Sequence, residues 1–310
     1  MMHFLTDTNV TSYEYIHKGW GVNSLLDKIA STDSSALIDT GALITGMSNY
    51  QVAMYLLQHG LSGKDGVVFL DEMDRKMILV RKGYMVMKLA QCGVPLERRF
   101  AFYDQIHTTG MDIKHVLDAK AILTLGKDMT FRDYAQGAFR MRGIGKGQTV
   151  NVYIVPEVKK LIDGTDSGGG GNSNNVLSNV SAWLVVNSMR SETLQQNLLL
   201  EQSMKNVWRK RAYECLKDDY VESIYGSNPN HLNKQKLNVN KSLDIFRERV
   251  DYHISNKFSD GMNKTLLKKL KDLAQEHHKI IYNEDQVVVD GLVNECRKYL
   301  PEHCETKLPL

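Results

Sequence analysis

The sequence predicts an α/β fold, in which a mostly parallel sheet is followed by a mostly α-helical C-terminal module. Between residues 36 and 162, short apolar runs alternate with segments of helical periodicity, an order that favours a parallel sheet with both faces covered. The segment 163–175, DGTDSGGGGNSNN, then interrupts the chain without one aliphatic or aromatic residue. After it, the apolar residues recur at the spacing of helices.

The strands and helices of the sheet domain are indicated in chain order by apolar runs and stop signals. The run NYQVAMYLLQHG, from Asn49 to Gly60, predicts a helix that ends at the glycine. The run GVVFLDE predicts a buried strand, and MILVRKGYMVMKL predicts two strands around a turn at Lys82 and Gly83. Three further strands are predicted by AFYD, KAILTLG and TVNVYIV.

A helix with two arginines is predicted between the last two of these strands. It begins with the capping pattern TFRD at Thr130, and we expect it to carry Gln136, Arg140 and Arg142 before Gly143 stops it. In that interpretation the arginines stand beside the loop HTTGMDI, which follows the AFYD strand. Arginine binds phosphate bidentately and keeps its charge, so this arrangement can present guanidinium groups to a phosphate.

Composition places the chain among ordinary globular proteins of a reducing compartment. With 310 residues, 42% of them hydrophobic, the chain can form two domains with packed cores. A net charge of +3 is too small to indicate a nucleic-acid partner, and no apolar run approaches the ~20 residues of a membrane helix. Four scattered cysteines do not suggest a disulfide framework, so we expect a cytoplasmic protein, with the nucleus as the alternative.

The expected domain boundaries follow the shifts in composition. Residues 1–35 are assigned to an N-terminal extension and residues 36–162 to the sheet domain. Residues 163–175 form a linker, because a segment without apolar side chains cannot offset the entropy cost of ordering. Residues 176–310 form the helical module, in which the polar stretch 226–241 is an inserted loop.

The HTTGMDI loop and the arginine helix together resemble the second, RecA-like lobe of superfamily-2 helicases. In those enzymes the corresponding loop approaches nucleotide and backbone, and the helix carries an arginine motif. The resemblance implies that one set of residues faces a nucleotide held by a first lobe: Gly110, Asp112, Gln136, Arg140 and Arg142. The family expects an arginine seven residues after Gln136, where this chain has Gly143, and Arg142 stands one position early.

Two segments resemble nucleotide-binding motifs but lack the order of strand, loop and helix that those motifs require. A phosphate-binding loop follows a strand and opens a helix, whereas GIGKGQT, from Gly143 to Thr149, follows a helix and precedes a strand. No phosphate-binding lysine loop precedes the acidic FLDEMD, so we interpret that segment as a hairpin corner. We therefore expect no cofactor in the isolated chain, and ATP with Mg²⁺ only together with a missing first lobe.

Thiol and metal chemistry have weaker support. A cysteine hydrolase needs a thiolate beside a histidine, and Cys92 and His107 are the pair that could meet within the sheet domain. No nucleophile signature surrounds Cys92, and a buried free cysteine is the commoner explanation. Near the C-terminus, Cys296, His303 and Cys304 lack the spacing of a zinc knuckle, so no metal site is predicted.

Several segments also resemble a single family: ALIDTGALITG, GVVFLDEMDRKMIL, FAFYDQIHTTGMDIKH, LTLGKDMTFRDYAQGAFRMRGIGKGQ and NVWRKRAYECL. They are similar to the C-terminal part of very large eukaryotic proteins labelled ubiquitinyl hydrolase or ubiquitin thioesterase-like. The similarity covers Ala36 to Pro156 and resumes after the linker to Tyr220. It implies cysteine-type removal of ubiquitin, with ubiquitin or ubiquitylated proteins as partners, and a chain that is a fragment, a split product or a short paralogue.

Three functional hypotheses remain open from the sequence. The first is a piece of a thiol-dependent ubiquitinyl hydrolase, with Cys92 and His107 as the candidate catalytic residues. The second is an NTP-binding motor lobe, whose partner is a first lobe or the remainder of a larger polypeptide. The third is a non-catalytic scaffold that binds a partner through the helix around Trp208.

Overall fold

The computed structural model describes residues 1–108, 112–165, 175–225, 237–247, 262–278 and 283–298. The chain divides into two compact units, Met1–Met189 and Arg190–Leu310. In the described residues, no helix is long and apolar enough to cross a bilayer.

The first unit is built on a sheet of eight strands in the order β1-β8-β7-β2-β6-β3-β4-β5. In this order, the six strands β1, β8, β7, β2, β6 and β3 pair in parallel with their neighbours. Strands β4 and β5 then extend the sheet from β3 and pair antiparallel. The strands are β1 (Thr11–Tyr15), β2 (Ala36–Ile38), β3 (Gly66–Leu70), β4 (Lys76–Val80), β5 (Met85–Lys88), β6 (Arg99–Tyr103), β7 (Lys120–Thr124) and β8 (Thr149–Ile154).

Helices accompany this sheet and make up the second unit. In the described residues they are α1 (Met2–Thr6), α2 (Val22–Ala30), α3 (Asn49–His59), α4 (Phe131–Ala138), α5 (Pro156–Thr165), α6 (Val176–Tyr225), α7 (Val239–Arg247), α8 (Met262–Glu276) and α9 (Asn283–Lys298). The predicted α/β class, a mostly parallel sheet with helices and a helical C-terminal region, is confirmed.

The core of the first unit lies on both faces of the central strands. All three residues of β2 and all five of β3 are buried, as expected where a parallel sheet is covered on both sides. Helices α2 and α3 contribute Leu26, Ile29, Val52 and Leu56 to the same core. Each such side chain stabilises the fold by about 1.5–3 kcal/mol relative to exposure.

The sheet begins earlier in the chain than the sequence analysis assigned. Residues 1–35 were expected to form an extension, but β1 pairs in parallel with β8, from Thr11 beside Val150 to Tyr15 beside Ile154. The sequence of β1, TSYEY, is polar and only its first residue is buried. An edge strand with such a pattern has little apolar signal, and its place in the sheet depends on backbone pairing with a distant segment.

Two predicted polar segments fall largely outside the described residues. Of the linker 163–175, the first three residues end α5 and residues 166–174 are not described. Of the inserted loop 226–241, residues 226–236 are not described, and α7 begins at Val239.

The second unit has its own buried cluster. Trp208 of α6 is fully buried, and its ring stacks on that of His277 with 4.4 Å between the centroids. Arg211 donates through Nε to Asp285 of α9 at 2.6 Å. Apolar residues of α7, α8 and α9 complete the cluster, including Ile245, Leu266, Leu270 and Val289.

Candidate functional site

Six parallel strands end at one edge of the sheet, and the loops after β2, β6 and β7 carry polar residues and glycines there. The carboxyl edge of a parallel sheet is where α/β proteins bind ligands, because the strand-to-helix loops converge there. After β2 come Asp39 and Gly41, after β6 come Asp104 and His107, and after β7 comes Gly126.

A buried carboxylate joins two of these loops. Asp39 is 2% exposed and accepts hydrogen bonds from the Thr124 hydroxyl at 2.6 Å and from the N–H groups of Leu43 and Ile44 at 3.0 and 2.9 Å. The N–H of Gly41 donates to the same Thr124 oxygen at 3.0 Å. Burial raises the pKa of Asp39 above its ordinary value, although the hydrogen bonds act in the opposite direction. The carboxylate therefore serves to hold the loops after β2 and β7 together.

Backbone packing in the same place requires glycine. A Cβ on Gly41 would lie 2.5 Å from the backbone N of Gly126, and a Cβ on Gly126 would lie 2.5 Å from the carbonyl oxygen of Gly41. Helix α4 is equally close, since a Cβ on Gly137 would lie 2.4 Å from Thr40 Oγ1. These approaches bring α4 directly against the loop after β2.

A crevice of about 680 Å³ opens between the loops. Its apolar lining includes Trp20, Leu43 and Met129, and Lys127 is a cation at its wall. The Trp20 indole N–H is already bonded to Glu157 at 3.0 Å. The volume is that of a small-molecule site, and its polar lining includes Gln105, Thr108 and Asp128.

The arginines follow a helix that is shorter than the sequence suggested. Thr130 caps α4 by accepting from the Asp133 N–H at 3.3 Å, as the capping pattern predicted. The helix ends at Ala138, however, so the prediction that Arg140 and Arg142 lie on it was wrong. Phe139 and the residues after it form tight turns, in which the N–H of Arg140 donates to the carbonyl of Gly137.

The turn after α4 brings both arginines within electrostatic reach of Asp112. Arg142 Nε donates to Asp112 Oδ1 at 3.2 Å, and its guanidinium lies 4.6 Å from the centre of the Phe139 ring. Arg140 is 7% exposed. Burial and the charge of Arg142 lower the pKa of Arg140, against the opposing influence of Tyr103 and Asp112. We call Asp112, Arg140 and Arg142 the arginine cluster.

A buried tyrosine and histidine lie beside this cluster. The Tyr103 hydroxyl is 3.0 Å from His115 Nε2. Burial lowers the pKa of His115 to about 4, so this imidazole is neutral at physiological pH, and burial raises the pKa of Tyr103. The sequence analysis did not single out either residue, although Tyr103 ends the AFYD strand.

The other nucleotide-facing candidates do not join the cluster in the described part of the chain. Gln136 lies on α4 with an exposed side chain, whereas Arg140 is buried. Gly110 falls outside the described residues, which break off after Thr108 and resume at Asp112.

Cys92 and His107, the candidate residues for thiol chemistry, form hydrogen bonds with different groups. His107 Nδ1 lies 2.5 Å from Asp104 Oδ1, and Nε2 lies 2.7 Å from Asp74 Oδ1, so carboxylates engage both ring nitrogens. Cys92 is partly buried, and its sulfur accepts from the Val94 N–H at 3.4 Å. The contacts described for the two residues do not bring the thiol and the imidazole together.

Several residues of this edge escaped the sequence analysis. Asp39, Thr124 and Gly126 stand at strand ends in the ALIDTG and LTLGKD segments, and a polar residue directly after a buried strand was the signal that could have found them. Asp74 lies in the turn between β3 and β4, far from His107 in sequence, so only the folded chain reveals that contact.

Comparisons of the chain with protein-family models, with curated proteins and with solved structures found no match. The resemblances to helicase lobes and to ubiquitinyl hydrolases therefore stay predictions from the motifs.

Gly41→Ala is expected to lower the free energy of unfolding by about 1–3 kcal/mol, because its new methyl group meets backbone atoms that cannot move independently. Gly63→Ala is the matched control, since nothing lies within 4 Å of a Cβ there, and it should change stability by less than about 1 kcal/mol. Urea unfolding followed by circular dichroism measures both. Equal effects of the two substitutions would contradict the close backbone approach.

Asp74→Asn is expected to lower the pKa of His107, which NMR titration of the imidazole measures. Burial by itself lowers this pKa, but the hydrogen bonds to Asp74 and Asp104 outweigh it, so the pKa is raised. The contribution of His107 to stability is thus complete below about pH 6.5 and is lost as the pH rises through its folded pKa. Asn tolerates the positive φ of 57° at Asp74.

The destabilisation caused by Asp74→Asn should therefore be largest in mildly acidic solution and should fade at alkaline pH. Asp118→Asn, a change of another exposed carboxylate, is the control and should leave the His107 titration unchanged. A His107 pKa that is the same in the wild type and in the Asp74 variant would contradict the hydrogen bond between His107 and Asp74.

Proposed function

We propose that the first unit is the second lobe of a helicase-like NTPase, which adds arginine side chains to a nucleotide bound mainly by a first lobe. The observation that carries the proposal is the ion pair of Arg142 with Asp112, which lies within electrostatic reach of the buried Arg140. A guanidinium group binds phosphate oxygens bidentately and stays charged at physiological pH. In phosphoryl transfer, such a group stabilises the charge that develops in the transition state.

The electrostatics of the arginine cluster favour an anionic ligand over a purely structural role. Arg140 is buried beside a second positive charge, and both effects work against its charged form. Asp112 forms an ion pair with Arg142 and lies within electrostatic reach of Arg140. The Arg142–Asp112 pair is largely exposed, and exposed pairs contribute only about 0–1 kcal/mol to stability. An ionisable group whose pKa is shifted by burial and by a neighbouring like charge is typical of a functional site.

The order of elements supports dependence on a first lobe. The glycine-rich GIGKGQT segment follows α4 and leads into β8, and its Gly145 and Gly147 adopt φ values of 73° and 111° in a turn. A phosphate loop needs the opposite order, with a strand before it and a helix after it. The segment therefore does not supply the site for a triphosphate and Mg²⁺, and those must come from another lobe.

The isolated chain is expected to bind ADP weakly and not to hydrolyse ATP. Arg142→Ala should weaken ADP binding roughly tenfold or more, because a hydrogen bond to a charged group contributes about 1.5–3 kcal/mol. Arg140→Lys should also weaken binding, since lysine keeps the charge but loses the planar fork. Isothermal titration calorimetry gives the affinities, and a phosphate-release assay tests hydrolysis.

The matched control for these variants is Arg132→Ala, which removes an exposed arginine from the first turn of α4. It should leave ADP binding unchanged. Turnover of ATP by the purified chain, or equal losses of affinity in the Arg132 and Arg142 variants, would overturn the proposal.

Cysteine-type deubiquitination stays a prediction that rests on resemblance. If it holds, a ubiquitin-based electrophile should label the chain, and Cys92→Ala should abolish the adduct. Cys215→Ala is the control, because this cysteine lies on α6 in the second unit. Failure to form an adduct, or an adduct that survives Cys92→Ala, would remove Cys92 as the nucleophile. Mass spectrometry of the intact chain reads both outcomes.

A further inference from the structure

One edge of the sheet offers both backbone and apolar groups to a partner. Among the described residues, β5 pairs with β4 alone, from Met85 beside Val80 to Lys88 beside Met77. An edge strand leaves the N–H and C=O groups of alternate residues pointing outward without a strand partner. Met85 is 57% exposed and Val86 is 41% exposed. The outer edge of β5 can therefore accept an additional strand with apolar side chains.

A basic groove begins where this strand ends. The groove has a volume of about 800 Å³, and its lining includes Leu89 and Ala90, directly after β5. Its charged lining consists of five cations and one carboxylate: Arg75, Lys76, Lys88, Arg99, Lys114 and Asp112.

Most of the cations in the groove form no ion pair with a carboxylate in the described part of the chain. Arg75 forms an ion pair with Asp71, and the Asp112 carboxylate is bonded to Arg142. Lys76 donates to the main-chain carbonyl of Asp112 and, within the described residues, forms no ion pair.

Like Lys76, the other three cations of the groove form no ion pair within the described residues. Arg99 donates to the carbonyl of Val94 at 2.8 Å. Lys88 and Lys114 are exposed, and within the described residues neither forms an ion pair. Four cations thus create a local positive potential that attracts acidic groups, although the net charge of the chain is only +3.

We propose that β5 and the basic groove bind an extended acidic peptide segment, which adds a strand to the sheet and places carboxylates in the groove. Strand addition supplies affinity through main-chain hydrogen bonds, and the side-chain environment supplies specificity. A nucleic acid could use the cations, but it has no N–H and C=O ladder to pair with β5. The strand edge and the groove are adjacent, so a polypeptide uses both.

Charge also argues against a second copy of this chain as the occupant. Lys88 on β5 and Lys82 in the turn before it would give both copies a positive edge, and like charges across a strand pair are destabilising. The opposite edge strand, β1, carries Glu14, which pairs with Lys28. The two edges therefore differ in charge, and only the β5 edge is complementary to an acidic strand.

The proposal is independent of the proposed NTPase role, since it uses neither arginine of the arginine cluster. Its test is fluorescence anisotropy of the full chain with a labelled peptide in which Glu and Val alternate. Binding is expected, and the double variant Lys88→Glu, Lys114→Glu should weaken it roughly tenfold or more, equivalent to at least 1.4 kcal/mol. The control, Lys18→Glu with Lys146→Glu, makes the same charge change at exposed lysines away from β5 and should bind like the wild type.

Two further probes separate strand addition from simple charge attraction. The same peptide with alternate residues N-methylated keeps its charges but loses N–H donors on one edge, and it should bind much more weakly. An oligothymidine of similar charge should bind less tightly than the peptide. Failure of the peptide to bind, equal binding by the N-methylated peptide, equal losses in the two double variants, or tighter binding by oligothymidine would each overturn the proposal.

Discussion

A single buried carboxylate organises the carboxyl edge of the parallel sheet. Asp39 accepts three hydrogen bonds, and these join the loop after β2 to the end of β7 in the middle of the sheet. An isolated buried carboxylate would cost several kcal/mol, so the site is stable only while its hydrogen-bond partners are in place. The close approach of Gly41 and Gly126 follows from the same contact, because side chains there would hold the two loops apart.

Hydrogen bonds between charged side chains connect the other loops near Asp39. His107 joins the loop after β6 to the turn between β3 and β4 through Asp74, while Asp104 of its own loop engages the other ring nitrogen. Asp112 is held twice, by Lys76 at its carbonyl and by Arg142 at its carboxylate. Asp112 therefore belongs both to the arginine cluster and to the lining of the basic groove.

The sequence was informative where structure is local. Apolar runs located β3, the β4–β5 hairpin and α3, and a capping pattern located the start of α4, because each depends on neighbouring residues. The predicted end of α4 was wrong, because the helix gives way to turns at Phe139, before it reaches Gly143. The meeting of Asp112 with Arg142 was expected from the order of loop, strand and helix. The role of Asp39 was not, because it depends on Thr124, which is distant in sequence.

What the sequence determined by itself is the α/β class and the types of side chain at the strand ends. The positions of these side chains relative to one another were decided by parallel strand pairing and buried hydrogen bonds, because these join residues that no local pattern connects. The tertiary structure brought β1 into the sheet, engaged both nitrogens of His107 with carboxylates and buried Arg140 beside Arg142. It also placed β5 at an edge of the sheet, next to the lysines of the basic groove. Such features depend on distances between remote segments, which are set only when the chain packs.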